Sequence, residues 1–293
     1  MTIIPIAFES MGTRGMATFV SAGDLNILID PGVDLAPMRF KLPPHPIELE
    51  RKARQWDSIR EYAQKAHILI VTHYHHDHFH EDEWKLFRGK HVLLKHPARD
   101  INFNQKQRAD VLLRRIKDSA LNIQYIDGQV FTFGGVKVEF SQTVCHGIND
   151  RSGYVIQVLI KGDICFLHTS DVCGPARPEQ LQFIIRGNPD ILFCDGPVSY
   201  MLGSKYDTGY LDTCVKNLIT IMEKTRVKQM ILDHHLLREL GWAEKISPVF
   251  DASRRKRVNV TTAAEFMGLK TELLEARRKE LYQQFGSIPY RKA

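Results

Sequence analysis

The run Thr72-His73-Tyr74-His75-His76-Asp77-His78, directly behind the apolar stretch Ile68-Leu69-Ile70-Val71, decides how this chain is read. A short apolar run rich in β-branched side chains predicts a buried strand in a sheet covered on both faces. The histidines therefore begin where the strand stops, and a tight loop can turn His73, His75, Asp77 and His78 toward one point. Neutral imidazole and carboxylate oxygen suit zinc, iron or manganese, and the scarcity of thiolate nearby argues against a purely structural zinc knuckle.

The same context recurs along the chain. Ile27-Leu28-Ile29 leads to Asp30-Pro31-Gly32, and Val138-Glu139-Phe140 leads through Gln142-Thr143-Val144-Cys145 to His146-Gly147, where glycine permits close backbone approach. Ile164-Cys165-Phe166-Leu167 leads to His168-Thr169-Ser170-Asp171, Phe193-Cys194 to Asp195-Gly196, and Met230-Ile231-Leu232 to Asp233-His234-His235. Taken alone, Asp30 reads first as a turn residue, Asp195 equally as a turn or a cleft residue, His146 as a surface or packing histidine and His168 as a strand residue. Several strands that all finish in ligand-type residues are harder to explain as solvated loops, because α/β proteins gather their sites at one end of packed strands.

Strand patterns fall at 3–8, 16–20, 25–29, 68–71, 91–94, 123–126, 130–133, 136–140, 154–160, 164–168, 191–194 and 228–232. Helical periodicity is clearest over 48–66, where Leu49, Ala53, Trp56, Ile59, Ala63 and Ala66 recur three and four apart, and further helices are predicted at 81–88, 104–119, 178–187, 208–225, 261–266 and 270–285. This order predicts two sheets packed face to face with helices outside, a four-layer αββα sandwich of the α/β class. One domain over residues 1–293 is expected, with a helical C-terminal extension at about 261–293.

Composition bounds the rest: 293 residues, 43% hydrophobic and 25% charged, describe an ordinary globular chain with one large domain or two small ones. No apolar run reaches a membrane span, and Met1-Thr2-Ile3-Ile4-Pro5 lacks a signal peptide's segments, so cytoplasmic residence without a membrane partner is expected. The five cysteines carry no CxxC pair and read as buried packing residues, Cys145 excepted because it precedes a candidate ligand. A formal charge of +6 is compatible with an anionic substrate, with Arg14, Arg39, Lys41 and His45 as a candidate basic rim. The run Arg254-Arg255-Lys256-Arg257 reads as a solvated loop before it reads as a nucleic-acid contact. The C-terminal segment, with Leu273, Leu274 and Leu281, leaves a homo-oligomer open.

Together the motif residues resemble the metallo-β-lactamase superfamily of hydrolases over about residues 3 to 240. The family's HxHxDH motif stands here as His73, His75, Asp77 and His78, its preceding aspartate as Asp30, its third-motif histidine as His146 and its bridging aspartate as Asp171. Its last histidine is His234 or His235, with His234 at the position the family usually uses. Residues 8–46 are similar to a poorly characterised archaeal branch that supplies no substrate. The resemblance implies two divalent ions, zinc first, with manganese or iron as alternatives: one held by His73, His75 and His146, the other by Asp77, His78 and the final histidine, with Asp171 between them. It further implies a metal-bound hydroxide attacking a small ester, lactone, thioester or phosphodiester, with Asp77 as the catalytic carboxylate. Asp30 would fix a ligand tautomer, and His168, Asp195 and His235 would lie beside the ligands or the substrate. Asp171 stands where the best-known zinc β-lactamases place cysteine, and Asp195-Gly196 replaces the histidine-glutamate pair of the tRNA-processing relatives. A nucleic-acid-processing or nucleic-acid-binding protein of the same fold is the alternative.

Overall fold

The computed structural model describes residues 1–286. Its first sheet runs β1 (Thr2–Phe8), β2 (Met16–Ala22), β3 (Leu25–Ile29), β4 (Ile68–Val71), β5 (His91–Leu94) and β6 (Asn122–Tyr125) in that spatial order. The first three strands are antiparallel, and β3 to β6 are parallel. The second half adds β7 (Val130–Phe133), β8 (Val136–Phe140), a short ladder of β9 (Val144–Cys145) and β10 (Tyr154–Val155), then β11 (Val158–Lys161), β12 (Cys165–His168), β13 (Ile191–Asp195), β14 (Gln229–Asp233) and β15 (Asn259–Thr261). The second sheet has the order β15-β14-β13-β12-β11-β8-β7, again antiparallel at one side and parallel from β12 to β15.

Side-chain alternation along the strands builds the layers. Ile27, Ile29, Ile68 and Ile70 point inward to meet Phe166, Phe193 and Ile231 of the second sheet in a central core. Their neighbours Leu28, Leu69 and Val71 point outward, beneath Trp56, Ile59 and Ala63 of α1 (Pro46–Lys65) and Ala109, Leu112 and Ile116 of α2 (Phe103–Ile116). On the far side Leu167, Leu192, Met230 and Leu232 are covered by α3 (Pro178–Gly187), α4 (Thr208–Lys224) and, after the short α5 (Trp242–Lys245), by α6 (Ser247–Lys256). Three cores between four layers make the αββα sandwich, and no helix among the described residues is long and apolar enough to cross a membrane.

The differences from the sequence reading have local causes. The predicted strand over 154–160 is interrupted because the Ile156 amide donates to the Thr72 carbonyl at 3.2 Å, crossing to the first sheet beside the histidine run. The basic run is exposed but sits at the end of α6, with Arg257 left-handed at its C-cap (φ 56°), so it is a helix terminus and not a loop. The C-terminal extension is less helical than expected: β15 joins the second sheet, and between α7 (Ala263–Phe266) and α8 (Arg278–Phe285) the chain forms a non-helical strap. Its charges pair with the first half instead of lining a helix, Glu272 with Arg51 and Glu275 with Arg14, and at the start of α8 buried Arg278 meets buried Glu48 through two 2.8 Å contacts. Residues 287–293 of the predicted extension lie outside the described residues.

Candidate metal centre

The parallel strands β3, β4, β12, β13 and β14 all deliver their C-terminal ends to one edge of the sandwich. Three of the connections there place a non-glycine residue in the left-handed region, Asp30 (φ 48°), Ser170 (φ 57°) and His234 (φ 59°). Such conformations cost on the order of 1–3 kcal/mol each and persist where the surroundings fix them. Asp30 is fixed by the motif: its Oδ1 accepts from the Thr72 amide at 2.8 Å, and its Oδ2 accepts from the Thr72 hydroxyl at 2.7 Å and faces His78 Nδ1 at 2.9 Å. Gly32 explains the turn that follows, since a Cβ there would lie 2.2 Å from the Phe79 nitrogen and 2.3 Å from the His78 carbonyl carbon. The motif loop can pack against β3 only over a residue without a side chain.

Two overlapping groups of ligand-type atoms result, each within 4.8 Å throughout: His73, His75, His146 and Asp171, and Asp77, His78, Asp171 and His234. Asp171, 1% exposed, divides its carboxylate between them. Its Oδ2 faces His73 Nε2 at 3.5 Å and His146 Nε2 at 3.2 Å, whereas its Oδ1 faces His78 Nε2 at 2.8 Å and His234 Nε2 at 3.2 Å. Asp77 lies at the second group, 3.8 Å from His234 Nε2. Both His78 Nε2 and Asp171 Oδ1 are buried without a hydrogen-bond partner, an arrangement that a shared cation would satisfy. The nitrogen and carboxylate donors fit a first-row divalent metal of the zinc, iron or manganese type.

Protonation differs sharply between the groups. Burial, then the charge of His78, lowers the His73 pKa to about 4, and burial holds His75 well below its usual value. Burial opposes protonation of His78 as well, but Asp171 and Asp30 outweigh it and raise the pKa to about 10. His234 is likewise raised against burial by Asp171 and Glu9. Asp77 and Asp171 are lowered against burial, Asp77 chiefly by His78 and Asp171 chiefly by His234.

The remaining candidates separate clearly. His234 joins the second group, whereas His235 turns its Nδ1 to Asp195 at 3.0 Å and lies near Cys173. Asp195 also accepts from the Cys173 and His235 amides, so it organises the loop below the cleft. His168 has both nitrogens on backbone, with Nε2 3.0 Å from the Met16 carbonyl oxygen and Nδ1 accepting from Ser170, and it ties the sheets together away from the ligand atoms. Of the cysteines it is Cys173, not Cys145, that approaches a candidate ligand, with Sγ 3.5 Å from His146 Nδ1. Sequence reasoning missed Glu9, whose Oε2 is 2.7 Å from His234 Nδ1 and whose Oε1 accepts from Arg238 at 2.6 Å. A carboxylate one residue past β1 is its only local signal.

Around these groups lies a cleft of about 360 Å³, lined by Arg14, Arg108, Lys205 and Arg238 among others. Of the expected basic rim only Arg14 lines it. Arg39 stacks on Tyr200 (4.6 Å), Lys41 is exposed, and His45 is a buried cap of α1 whose Nε2 lies 3.0 Å from the Gly286 carbonyl.

Residues 14–206 match the β-lactamase superfamily domain, and a UPF0282 protein of Korarchaeum cryptofilum is 45% identical over 97% of this chain and 95% of its own. This chain belongs to the β-lactamase superfamily and, within it, to the archaeal UPF0282 family. Two solved structures share the metallo-β-lactamase fold at low identity. Isothiocyanate hydrolase from Delia radicum gut bacteria has a TM-score of 0.56 at 12% identity, covering 89% of this chain and 95% of that one. CmlA, a diiron β-hydroxylase from Streptomyces venezuelae, has a TM-score of 0.52 at 13% identity, covering 88% of this chain and 51% of that one.

Proposed function

We propose that this UPF0282 protein is a dinuclear metal-dependent hydrolase of a small, anionic ester-type substrate, with phosphodiesters ahead of lactones, thioesters and neutral esters. The observation that carries the reading is the divided Asp171 carboxylate, one oxygen toward each histidine group. His73, His75 and His146 would hold one ion and Asp77, His78 and His234 the other, with Asp171 shared. Two such ions supply a nucleophile from water near neutral pH and stabilise developing oxyanion charge.

The protein's own residues would do the rest. Asp77, kept ionised, accepts a hydrogen bond from the attacking water and orients it. Asp30 and Glu9 fix the ring orientations of His78 and His234. His235, its Nδ1 committed to Asp195, keeps Nε2 for a substrate or leaving-group oxygen at the cleft wall. Arg108 and Lys205 line the cleft without a carboxylate partner among the described residues, which supports an anionic substrate. The exposed basic run at the end of α6 does not line that cleft, which favours a small molecule over a nucleic-acid strand.

Elemental analysis of protein purified without added metal, beside His73→Ala and Asp77→Ala, tests the reading. Near two equivalents of metal, reduced in His73→Ala, with phosphodiester turnover abolished in a folded Asp77→Ala protein, is the expected result. Metal-free protein that stays folded and cannot be reconstituted overturns it.

A further inference from the structure

His76, inside the histidine run, belongs to neither group around Asp171. Its ring stacks on that of His80 with centroids 4.8 Å apart and planes 28° apart. Its Nε2 lies 3.0 Å from Glu81 Oε2, yet neither atom has a hydrogen-bond partner although both are buried. Two buried polar atoms this close without a hydrogen bond between them leave both without a partner, a need that a cation bound by both would meet. One ligand atom from each of His76, His80 and Glu81 lies within 4.8 Å of the others.

The surrounding charges single out the same carboxylate. In the acidic trio that opens residues 81–87, Asp82 pairs with Arg115 and Glu83 with Arg60. Among the described residues the Glu81 carboxylate pairs with no lysine or arginine, only with His76, while Arg115 reaches its backbone carbonyl. Two imidazoles and one carboxylate form a donor set for a first-row transition ion.

We propose that His76, His80 and Glu81 form an accessory binding site for a divalent transition metal, zinc first, separate from the Asp171 centre. His80 Nδ1 accepts from the Asp82 amide at 3.2 Å, so Nε2 is the nitrogen left for the ion. Coordination there moves the ring proton to Nδ1, which exchanges the amide for the Asp82 carboxylate 3.7 Å away. The ion would pin residues 76–81 and place positive charge on the cleft wall, which His76 and Arg108 also line.

The test compares zinc stoichiometry by equilibrium dialysis in wild type, His80→Asn and Glu81→Gln. Asparagine offers Oδ1 in place of Nδ1 and so keeps the cap on residues 81–87 while removing Nε2. The expected result is one equivalent fewer in each variant, or at least a tenfold weaker last equivalent, with circular dichroism unchanged. Trp56 supplies a second readout, since its ring centroid is 6.5 Å from that of His80: Co(II) added to protein loaded with only the first two equivalents of zinc, which leaves the accessory site open, quenches its fluorescence in wild type and not in the variants. Asp171→Ala should keep this equivalent while losing those of the central site, so failure of the hydrolase reading and failure of this one are distinguishable. Identical stoichiometry, affinity and quenching in wild type and both variants overturn the proposal, however many ions the central site holds.

Discussion

The two histidine groups around Asp171 differ in what stands behind them. In the first group, His73 Nδ1 meets the hydroxyls of Thr72 at 3.2 Å and Ser170 at 3.3 Å, and His146 Nδ1 meets the Cys173 thiol. His75 Nε2 lies 3.3 Å from the Gln105 side-chain amide. In the second group, the nitrogen turned away from Asp171 faces a carboxylate in both histidines, Asp30 behind His78 and Glu9 behind His234. With neutral backing, the imidazoles of His73 and His75 are kept unprotonated by burial and open to a metal. Carboxylate backing makes a more basic imidazole that holds a proton until a metal displaces it, and then binds that metal more firmly. Equal counts of ligand-type residues thus conceal unequal groups: a metal would reach His73 and His75 without displacing a proton, and His78 and His234 only by displacing one.

The largest expected effect removes what the two sites share. Asp171→Ala should lose both ions and abolish turnover, because each carboxylate oxygen serves a different group. Metal analysis that still finds one equivalent would show that one group holds its ion without the bridge.

The metal-free protein should show the contrast as two arms of a pH-stability curve. His73, lowered to about 4 in the fold, favours the unfolded state once that state takes up protons, so stability falls as pH drops from about 6.5 toward 4. His78, raised to about 10, contributes stability that is complete below about pH 6.5 and lost as pH rises toward 10. Each arm should amount to on the order of a few kcal/mol in denaturant titrations. Loading with metal should flatten the alkaline arm, since the ion replaces the proton on His78. An alkaline arm of the same depth with and without metal breaks the comparison.

Next in size are the backing carboxylates. Glu9→Gln and Asp30→Asn should each weaken the ion at the second group by roughly 10–100-fold and leave the first unchanged. Competition with a chelator of known affinity reads both sites. Equal loss at the two groups would mean that these carboxylates act on the loop as a whole.

The contrast was only half legible in the sequence. The candidate ligands lie at strand ends, and strand ends are written locally: Ile68–Val71 before the histidines and Met230–Leu232 before His234, with Ile27–Ile29 before Asp30, the carboxylate behind His78. Alternation of inward and outward residues likewise made the four layers predictable. The other backing carboxylate is written nowhere near its histidine. Glu9 is 225 residues from His234, and nothing in Phe8-Glu9-Ser10 marks a carboxylate that will be 3% exposed. Arg238 follows His234 by four residues, but its burial depends on that same Glu9. The C-terminal strap was misread for the same reason. Glu272 and Glu275 look like the polar face of a helix until their partners Arg51 and Arg14 are brought across the fold.

The smallest predicted effect is the most discriminating. Ser170→Ala removes one of the two hydroxyls at His73 Nδ1 and leaves Thr72, whose own hydroxyl is anchored to Asp30 at 2.7 Å. A neutral hydrogen bond of this kind contributes about 1 kcal/mol or less when a second partner remains, so affinity at the first group should fall no more than about fivefold. The left-handed backbone at residue 170 is as unfavourable for alanine as for serine, so the substitution tests the hydroxyl and not the strain. Should Ser170→Ala weaken its ion as much as Glu9→Gln weakens the other, charge behind the imidazole would not be what separates the sites. The unequal protonation of His73 and His78 would then have to come from burial and from Asp171 alone.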